Sequence, residues 1–261
     1  MKQSLFDIVI IGAGVIGHSI AFRLKQCRPD LNLAVLGDPM NSLMASRAAA
    51  GMLAPFGECS KADRFFRFCR ESLLQYPDFI NDLISTSDIP VHLSMKGSLM
   101  PSSSLANDWE KQIRFFREEN IPHEIWSPAR CQQLAPALAE SCGEVMWVGE
   151  GQVNNREMHD SLVAASRKLG VEILEKNVTG FVHDSSIVEA AVTSTLKVRS
   201  QKFILASGSW SSQLGDALDI SLPLKPIKGQ MCRVQVEDDQ LDYTVHGLMT
   251  YIAPWRGGKG F

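Results

Sequence analysis

The sequence has 261 residues, of which 45% are hydrophobic and 21% are charged, a composition typical of a globular α/β protein. The net charge of -3 gives no reason to expect nucleic acid or an anionic membrane as a partner. No apolar run reaches the roughly 20 residues of a membrane span, and we expect no signal peptide. Six scattered cysteines without metal-ligand spacing favour reduced thiols, a cytoplasmic location and no metal site.

The first predicted elements form a strand, a glycine turn and a helix. An apolar run at residues 6–11 predicts a buried parallel strand, and it is followed by glycines 12, 14 and 17 in G-x-G-x-x-G spacing. The helix that follows is expected to bury Val15, Ile16, Ile20, Phe22 and Leu24. In this context the glycines predict a site for the pyrophosphate of a dinucleotide, with a ligand-free βα turn as the alternative.

The second predicted strand covers residues 31–36 and should pair parallel to the first. Such a strand commonly ends at an acidic residue that binds a ribose hydroxyl. Here Gly37 follows the apolar run and Asp38 comes next. Either Asp38 reaches the ribose with a small shift of the loop, or the backbone and water bind it.

Residues 45–55 are unusually rich in small side chains. Such a segment suits close contact with a large flat ligand, with free backbone amides to bind it. An ordinary alanine-rich helix start is the alternative interpretation.

The middle of the chain departs from the βα alternation. A helix is predicted from Ser60, with Asp63 in its capping box, to about residue 84, interrupted at Pro77 and burying Phe65, Phe66, Cys69 and Leu73. Further predicted elements are a strand at 97–101, helices at 108–119 and 131–138, and a strand at 143–148.

The remaining residues return to alternating elements. A helix is predicted from residue 154 to a stop at Gly170, followed by strands at 171–175 and 178–182 and a hairpin at 187–198. Residues 202–211 repeat the pattern of strand, small-residue turn and helix start. A linker at 223–226, strands at 228–236 and 250–254 and a turn at 257–261 complete the chain.

Several motifs, in order along the chain, resemble the glycine oxidase and D-amino-acid oxidase family of FAD-dependent oxidoreductases, most closely the glycine oxidases of thiamine biosynthesis. The matching segments are 11–17, 46–53, 171–178, 205–211, 226–230 and 251–254. The resemblance implies a Rossmann-like FAD-binding domain with a parallel sheet at 1–85 and 150–222. An incomplete antiparallel α+β substrate domain is expected at 86–149 and 223–261.

The resemblance also implies which residues bind FAD. They surround the pyrophosphate, the adenosine ribose, the flavin and the adenine, and they are Gly12, Gly14, Val15, Ile16, Gly17, Gly37, Asp38, Ala45, Ser46, Ala49, Ala50, Gly51, Met52, Val178, Ala206, Ser207, Gly208 and Trp210. Tyr251 matches a tyrosine that binds the amino-acid substrate, and no residue is assigned as a general base. Family members usually have Glu at the position of Gly37, which leaves that contact open.

The implied reaction oxidises the amine of glycine or of a small D- or N-methyl amino acid to an imine, with oxygen as the acceptor. No residue of this sequence matches the family's substrate-binding arginine, so we expect a truncated or split chain whose strand edges favour association or a homo-oligomer. The alternatives are an FAD-binding fragment that needs a missing part or partner chain, a D-amino-acid dehydrogenase with another acceptor, and an NAD-dependent dehydrogenase.

Overall fold

The computed structural model describes residues 5–41, 44–105, 108–138, 140–184, 187–235, 241–247 and 250–255. The predicted turn at 257–261 lies outside these residues. The strands are β1 Phe6–Ile11, β2 Leu33–Leu36, β3 Met52–Leu53, β4 Leu93–Ser94, β5 Ser98–Pro101, β6 His123–Trp126, β7 Val145–Val148, β8 Gly151–Val153, β9 Glu172–Leu174, β10 Val178–His183, β11 Val188–Thr193, β12 Lys197–Leu205, β13 Thr244–His246 and β14 Tyr251–Ile252. The α-helices are α1 Val15–Cys27, α2 Ala45–Ala48, α3 Arg64–Ser87, α4 Ser102–Leu105, α5 Trp109–Glu118, α6 Pro128–Leu134, α7 Asn155–Lys168 and α8 Ser211–Asp216.

The chain divides into two compact units. The first contains Met1–Ala49, Leu83–Pro90 and Asn155–Met231, and the second contains Ala50–Asp82, Val91–Asn154 and Cys232–Phe261. The second unit therefore includes residues 50–82, which the sequence assigned to the FAD-binding domain. The reason is packing, because Phe56, Phe66 and Leu73 share one apolar core with Met100 and Phe116.

The first unit is built on a six-stranded sheet in the order β10-β11-β12-β1-β2-β9. Strands β12, β1, β2 and β9 pair in parallel, whereas β10, β11 and β12 pair in antiparallel fashion. Val9 and Ile11 of β1 belong to one apolar core, and the intervening Ile10 belongs to another. Both faces of this strand are therefore buried, which confirms the predicted α/β fold with a parallel sheet.

Helix α1 begins at Val15 as predicted, and the prediction of its buried face was right for Phe22 and wrong for Ile16. Ile20 and Leu24 are partly buried and pack against the core. Ile16 is 62% exposed, whereas Gly17, His18, Ala21 and Phe22 are buried. The small side chains at 17 and 21 suit close packing, and this helix packs against α7. Apolar periodicity alone did not reveal that Gly17 and His18 lie on the buried face of α1.

Helix α3 begins later and continues further than the sequence indicated. Asp63 accepts a hydrogen bond from the Phe66 backbone nitrogen at 2.9 Å, so Asp63, and not Ser60, caps the helix. The helix passes through Pro77 without ending. Phe65 is 68% exposed, because its position lies about 90° around the helix from the buried Phe66 and Leu73.

The second unit contains a five-stranded sheet in the order β14-β13-β5-β7-β6 and a three-stranded sheet in the order β3-β8-β4. All pairs are antiparallel except β13 with β5, in agreement with the mainly antiparallel prediction. Helix α6 begins at Pro128, capped by Ser127, and not at residue 131 as predicted.

The predicted strand at 228–236 is not a strand over residues 228–235, and residue 236 lies outside the described residues. The apolar side chains of this region are largely exposed, at 93% for Ile227 and 73% for Val234. Alternating apolar residues form a strand only where a partner supplies the ladder hydrogen bonds. Among the described residues, no helix is both long and apolar enough to cross a membrane.

Candidate functional site

The turn between β1 and α1 requires glycine for steric reasons. Gly12 has φ of +119°, and a β-carbon there would overlap the carbonyl group of Ala206. A β-carbon at Gly17 would overlap the carbonyl oxygen of Gly12. The first and third glycines therefore allow a tight turn and a close contact between helix and strand, as the sequence predicted.

The N-terminus of α1 presents backbone donors. Gly14 is the N-cap residue in an extended conformation and provides no side-chain cap. The Val15 backbone nitrogen donates to Ser46 Oγ at 3.1 Å, and Ser46 Oγ would also lie 3.1 Å from a β-carbon at Gly14. Because a hydroxyl that accepts one bond still has its own proton, Ser46 can donate to a ligand in front of the helix. The first-turn amides of a helix have no intrahelical partners and the helix dipole is positive at this end, so the position favours an anion.

A second small-residue turn lies next to the first. The Ala206 nitrogen donates to the Ile11 carbonyl at 2.8 Å, so the turns after the parallel strands β1 and β12 meet at one edge of the sheet. Ser207 Oγ lies 3.0 Å from Ser211 Oγ, and Trp210 is 48% exposed. Ligands of doubly wound folds bind at this carboxyl edge, and the structure places Ala206, Ser207 and Gly208 there.

Gly37 and Asp38 follow β2 at the same edge. Gly37 is buried with φ of +148°, and a β-carbon there would lie 2.9 Å from the Ala13 nitrogen. The chain has no room here for the glutamate side chain that the family resemblance implies. Asp38 is partly buried, and its Oδ1 accepts a bond from the Met40 nitrogen at 2.8 Å. One carboxylate oxygen of Asp38 thus stabilises its own turn.

Helix α2 contains Ala45 and Ser46 and is held by α7. Asn155 Nδ2 donates to the Ser46 carbonyl at 2.6 Å, and Arg156 Nε donates to the Arg47 carbonyl at 3.2 Å. Ala45 and Ala49 are exposed, and the Ala49 nitrogen donates to the Ala45 carbonyl at 3.0 Å. This small-residue segment is therefore only in part the alanine-rich helix that was the alternative interpretation, because α2 ends after four residues.

The next three residues of this segment, Ala50, Gly51 and Met52, belong to the second unit. The Gly51 carbonyl accepts from the Val153 nitrogen at 2.9 Å, and the Ala50 carbonyl accepts from Gln152 Nε2 at 3.4 Å. Met52 starts β3 and pairs with Gln152. These bonds hold the segment in an extended form at the edge of the three-stranded sheet.

Two more predicted residues lie at strand positions. Val178 begins β10 and pairs with Thr193, with an irregularity in the register before Gly180. Tyr251 lies on β14 in the second unit, is 42% exposed and pairs with His246. Val178 belongs to the first unit and Tyr251 to the second.

Two buried histidines lie on the facing helices α1 and α7, with ring centroids 5.8 Å apart. His18 Nδ1 contacts Ser166 Oγ at 3.1 Å, and burial lowers the His18 pKa to about 3, aided by His159 and Arg167. His159 Nε2 lies 2.8 Å from the Ala13 carbonyl oxygen, and its pKa is lowered chiefly by burial. The sequence reasoning missed His159, Asn155 and Arg47, although the i,i+4 spacing of 155 and 159 in the first turns of one helix was visible.

The second unit contains a fully buried carboxylate, Glu150. Its Oε1 accepts from the backbone nitrogens of Phe56 and Gly57 at 2.7 and 2.8 Å. Its Oε2 accepts from the Ser98 hydroxyl and lies 3.4 Å from His246 Nε2. This carboxylate therefore joins the segment after β3 to β5 and β13.

A cavity of about 350 Å³ lies in the second unit beside β4 and β8. Lys96 and Asp242, which form an ion pair at 3.0 Å, line it together with Gln152 and Asn154. The described residues hold no group of three or more His, Cys, Asp or Glu side chains suited to a metal ion.

Comparison with known proteins agrees with this fold. A family model described as FAD dependent oxidoreductase matches residues 7–260. The bifunctional protein ThiO/ThiG of Synechocystis sp. is 29% identical over 98% of this chain, and the chain spans 38% of that protein. Glycine oxidase of Geobacillus kaustophilus is 27% identical over 97% of this chain, which spans 68% of it. The crystal structure of glycine oxidase from that organism superposes with a TM-score of 0.88 at 28% identity, covering 95% of this chain and 68% of that one.

Proposed function

Because the chain belongs to the FAD dependent oxidoreductase family, we propose that it is an amino-acid oxidase of glycine oxidase type. Its substrate is glycine or a small D- or N-methyl amino acid, whose amine is oxidised to an imine with oxygen as the acceptor. The relatives named glycine oxidase support this substrate class. The chain spans 38% of the length of its ThiO/ThiG relative from Synechocystis sp.. The activity is therefore a proposal, and it rests on the residues of this chain.

The observation that carries the proposal is the meeting of two glycine turns at the carboxyl edge of one parallel sheet. Ala206 donates to Ile11, and Gly12 approaches Ala206 too closely for any larger residue. The Ser46 hydroxyl accepts from the Val15 nitrogen at the N-terminus of α1, so its own proton can be donated to a ligand there. This set of neutral donors with small side chains fits a pyrophosphate.

Each predicted residue has a proposed part in binding FAD. Backbone groups of Gly12, Gly14, Val15, Ile16 and Gly17 surround the pyrophosphate, and the Ser46 hydroxyl donates to it. Asp38 binds the adenosine ribose with the oxygen that its own turn does not use, beside Gly37, and Val178 binds the adenine through its backbone. The residues proposed to border the cofactor are Ala45, Ala49, Ala50, Gly51, Met52, Ala206, Ser207, Gly208 and Trp210.

FAD, when bound, supplies the two-electron acceptor for the oxidation. The protein's own residues orient and shield it, and Tyr251 positions the amino acid through its exposed hydroxyphenyl group. No residue of the chain is assigned the abstraction of a proton.

The test is reconstitution of the chain with FAD, FMN or NAD, followed by removal of unbound cofactor. We expect a yellow sample with one FAD per chain, and peroxide release on addition of glycine, sarcosine or D-alanine in air. A colourless sample, or preferential retention of NAD, would contradict FAD binding. A yellow sample that neither releases peroxide nor reduces an artificial dye would reduce the proposal to FAD binding alone.

A pair of matched variants sharpens this test. Gly12→Ala introduces a β-carbon that overlaps the Ala206 carbonyl, and it should abolish retention of FAD. Gly180→Ala introduces the same group where no atom lies within 4 Å, and it should retain FAD like the unaltered chain. Equal retention by both variants would show that the turn does not bind the cofactor.

A further inference from the structure

We propose that His159 is a positioning residue for the pyrophosphate site, because it holds the carbonyl group of Ala13 and, through Arg47, the segment that presents Ser46. The inference rests on the proposed function, since FAD is the ligand whose phosphates the two segments receive. None of the motifs at the glycine turn includes this residue, which lies 146 positions further along the chain.

The hydrogen bonds of His159 define its protonation state. A carbonyl oxygen can only accept, so the contact of 2.8 Å to Ala13 requires a proton on Nε2. Arginine can only donate, so the contact of 3.3 Å between Arg47 Nη1 and Nδ1 requires an unprotonated Nδ1. The ring is therefore neutral with a fixed tautomer, in keeping with the lowering of its pKa by burial.

The segment that this histidine holds is costly to order. Ala13 lies between Gly12 and Gly14, and glycine loses more backbone freedom on folding than any other residue. The Ala13 side chain is 4% exposed and packs in the apolar core with Ile10 and Ala21, which fixes one side of the turn. The bond from His159 fixes the carbonyl on the other side and so limits rotation of the adjacent peptide groups.

The second contact of His159 acts on the other phosphate-binding segment. Arg47 also forms an ion pair with Asp160, the neighbour of His159 on α7. One residue before Arg47, Ser46 accepts from Asn155 through its carbonyl and from Val15 through its hydroxyl. Helix α7 therefore fixes both the glycine turn, through Ala13, and the segment that carries the Ser46 hydroxyl.

A merely structural role would make His159 one of several polar contacts between α1 and α7. His18 with Ser166 provides the comparison, because this contact of 3.1 Å joins the same two helices without touching the glycine turn. If His159 only stabilises helix packing, its loss should resemble the loss of Ser166. If it positions the turn, only His159 should affect phosphate binding.

The experiment compares His159→Leu, His159→Gln and Ser166→Ala in the full chain by two measurements. The first is amide hydrogen exchange of residues 12–17 without cofactor, and the second is the dissociation constant of FAD from quenching of its fluorescence. We expect His159→Leu to raise both the exchange rate and the dissociation constant about tenfold, the effect of one lost hydrogen bond. His159→Gln keeps an amide donor for Ala13 and should stay within about threefold of the unaltered chain.

The inference is overturned if His159→Leu and Ser166→Ala change both measurements equally, or if His159→Gln is as defective as His159→Leu. Should His159→Leu fail to fold, His159→Asn serves in its place, because its shorter amide does not reach Ala13. An unaltered chain that binds no FAD contradicts the proposed function, and the exchange comparison without cofactor then decides for or against the role of His159.

Discussion

Oε1 of Glu150 lies 2.7 Å from the Phe56 backbone nitrogen, although the two residues are 94 positions apart. The same oxygen accepts from Gly57, and Oε2 accepts from the Ser98 hydroxyl. The carboxylate is completely buried. If it were removed, solvent water could not reach these donors to take its place as the acceptor. A buried group with several partners is costly to remove, because each partner then lacks its hydrogen bond.

We therefore expect Glu150→Leu to lower the free energy of unfolding by about 3 kcal/mol, since it leaves two backbone nitrogens and a hydroxyl unsatisfied. Glu150→Gln retains an acceptor oxygen and should cost about 1 kcal/mol. The measurement is urea unfolding followed by fluorescence. Glu144→Gln changes an exposed carboxylate one strand earlier and serves as the control, with little expected effect. Equal losses for Glu150→Leu and Glu144→Gln would contradict the prediction.

A second prediction concerns Gly37, where the family resemblance leads us to expect Glu. Its φ of +148°, and the short distance between a β-carbon at this position and the Ala13 nitrogen, leave no relaxed conformation for a side chain. Gly37→Glu should therefore lower stability by about 1–3 kcal/mol and weaken FAD binding, in spite of its resemblance to the related sequences. Thermal unfolding and FAD titration measure the two effects. Tighter binding of FAD by Gly37→Glu would show that the loop shifts easily.

A third prediction follows from the low pKa of His18. Its pKa is about 3 in the folded protein against an ordinary 6.5, so the unfolded chain binds the extra proton between these values. The contribution of His18 to stability is thus complete above pH 6.5 and is lost as the pH falls toward 3. At pH 5.5 the loss is about 1.4 kcal/mol from this residue.

Urea unfolding at about pH 7.5 and about pH 5.5 tests this effect. The unaltered chain should lose stability between the two values, and His18→Leu should lose less because it does not titrate. His159, whose pKa is also lowered, remains in that variant, so part of the dependence of the free energy of unfolding on pH remains. If the unaltered chain and His18→Leu lost the same free energy of unfolding between the two pH values, His18 would be excluded as a source of the pH dependence.

A fourth prediction distinguishes the two candidate caps of α3. Asp63 Oδ1 accepts from Phe66, and this bond lowers the pKa of Asp63. In Asp63→Ala the Phe66 amide should exchange with solvent about tenfold faster, because it loses its cap. Ser60→Ala should leave that amide unchanged. Faster exchange in Ser60→Ala alone would restore the helix start that the sequence indicated.

The local pattern of the sequence was sufficient for several elements. The turn from β1 to α1 was predictable because its glycines and the adjacent apolar run act within about ten residues. The second turn after β12 was predictable for the same reason. Propensity and spacing are local properties, so they identify elements whose form depends on neighbours along the chain.

Other features depended on packing and were missed. Ile16 is exposed while His18 is buried, because α1 packs against α7 through the face that contains His18, and Ile16 lies outside that face. Helix α3 continues through Pro77, since burial of Ile80 and Leu83 beyond the proline outweighs the lost backbone bond. The apolar residues near 228–235 formed no strand, because alternation cannot supply a pairing partner.

By itself, the sequence determined the glycine turn and the kind of ligand that its spacing and helix N-terminus favour. Only the tertiary structure decided that Ala206 meets Gly12, that Gly37 has no room for a side chain and that His159 binds Ala13. The physical reason is range: a turn's shape follows from adjacent residues, whereas these contacts join residues far apart in the chain. Hydrogen bonds and steric overlap between such residues exist only once the sheet and helices have packed.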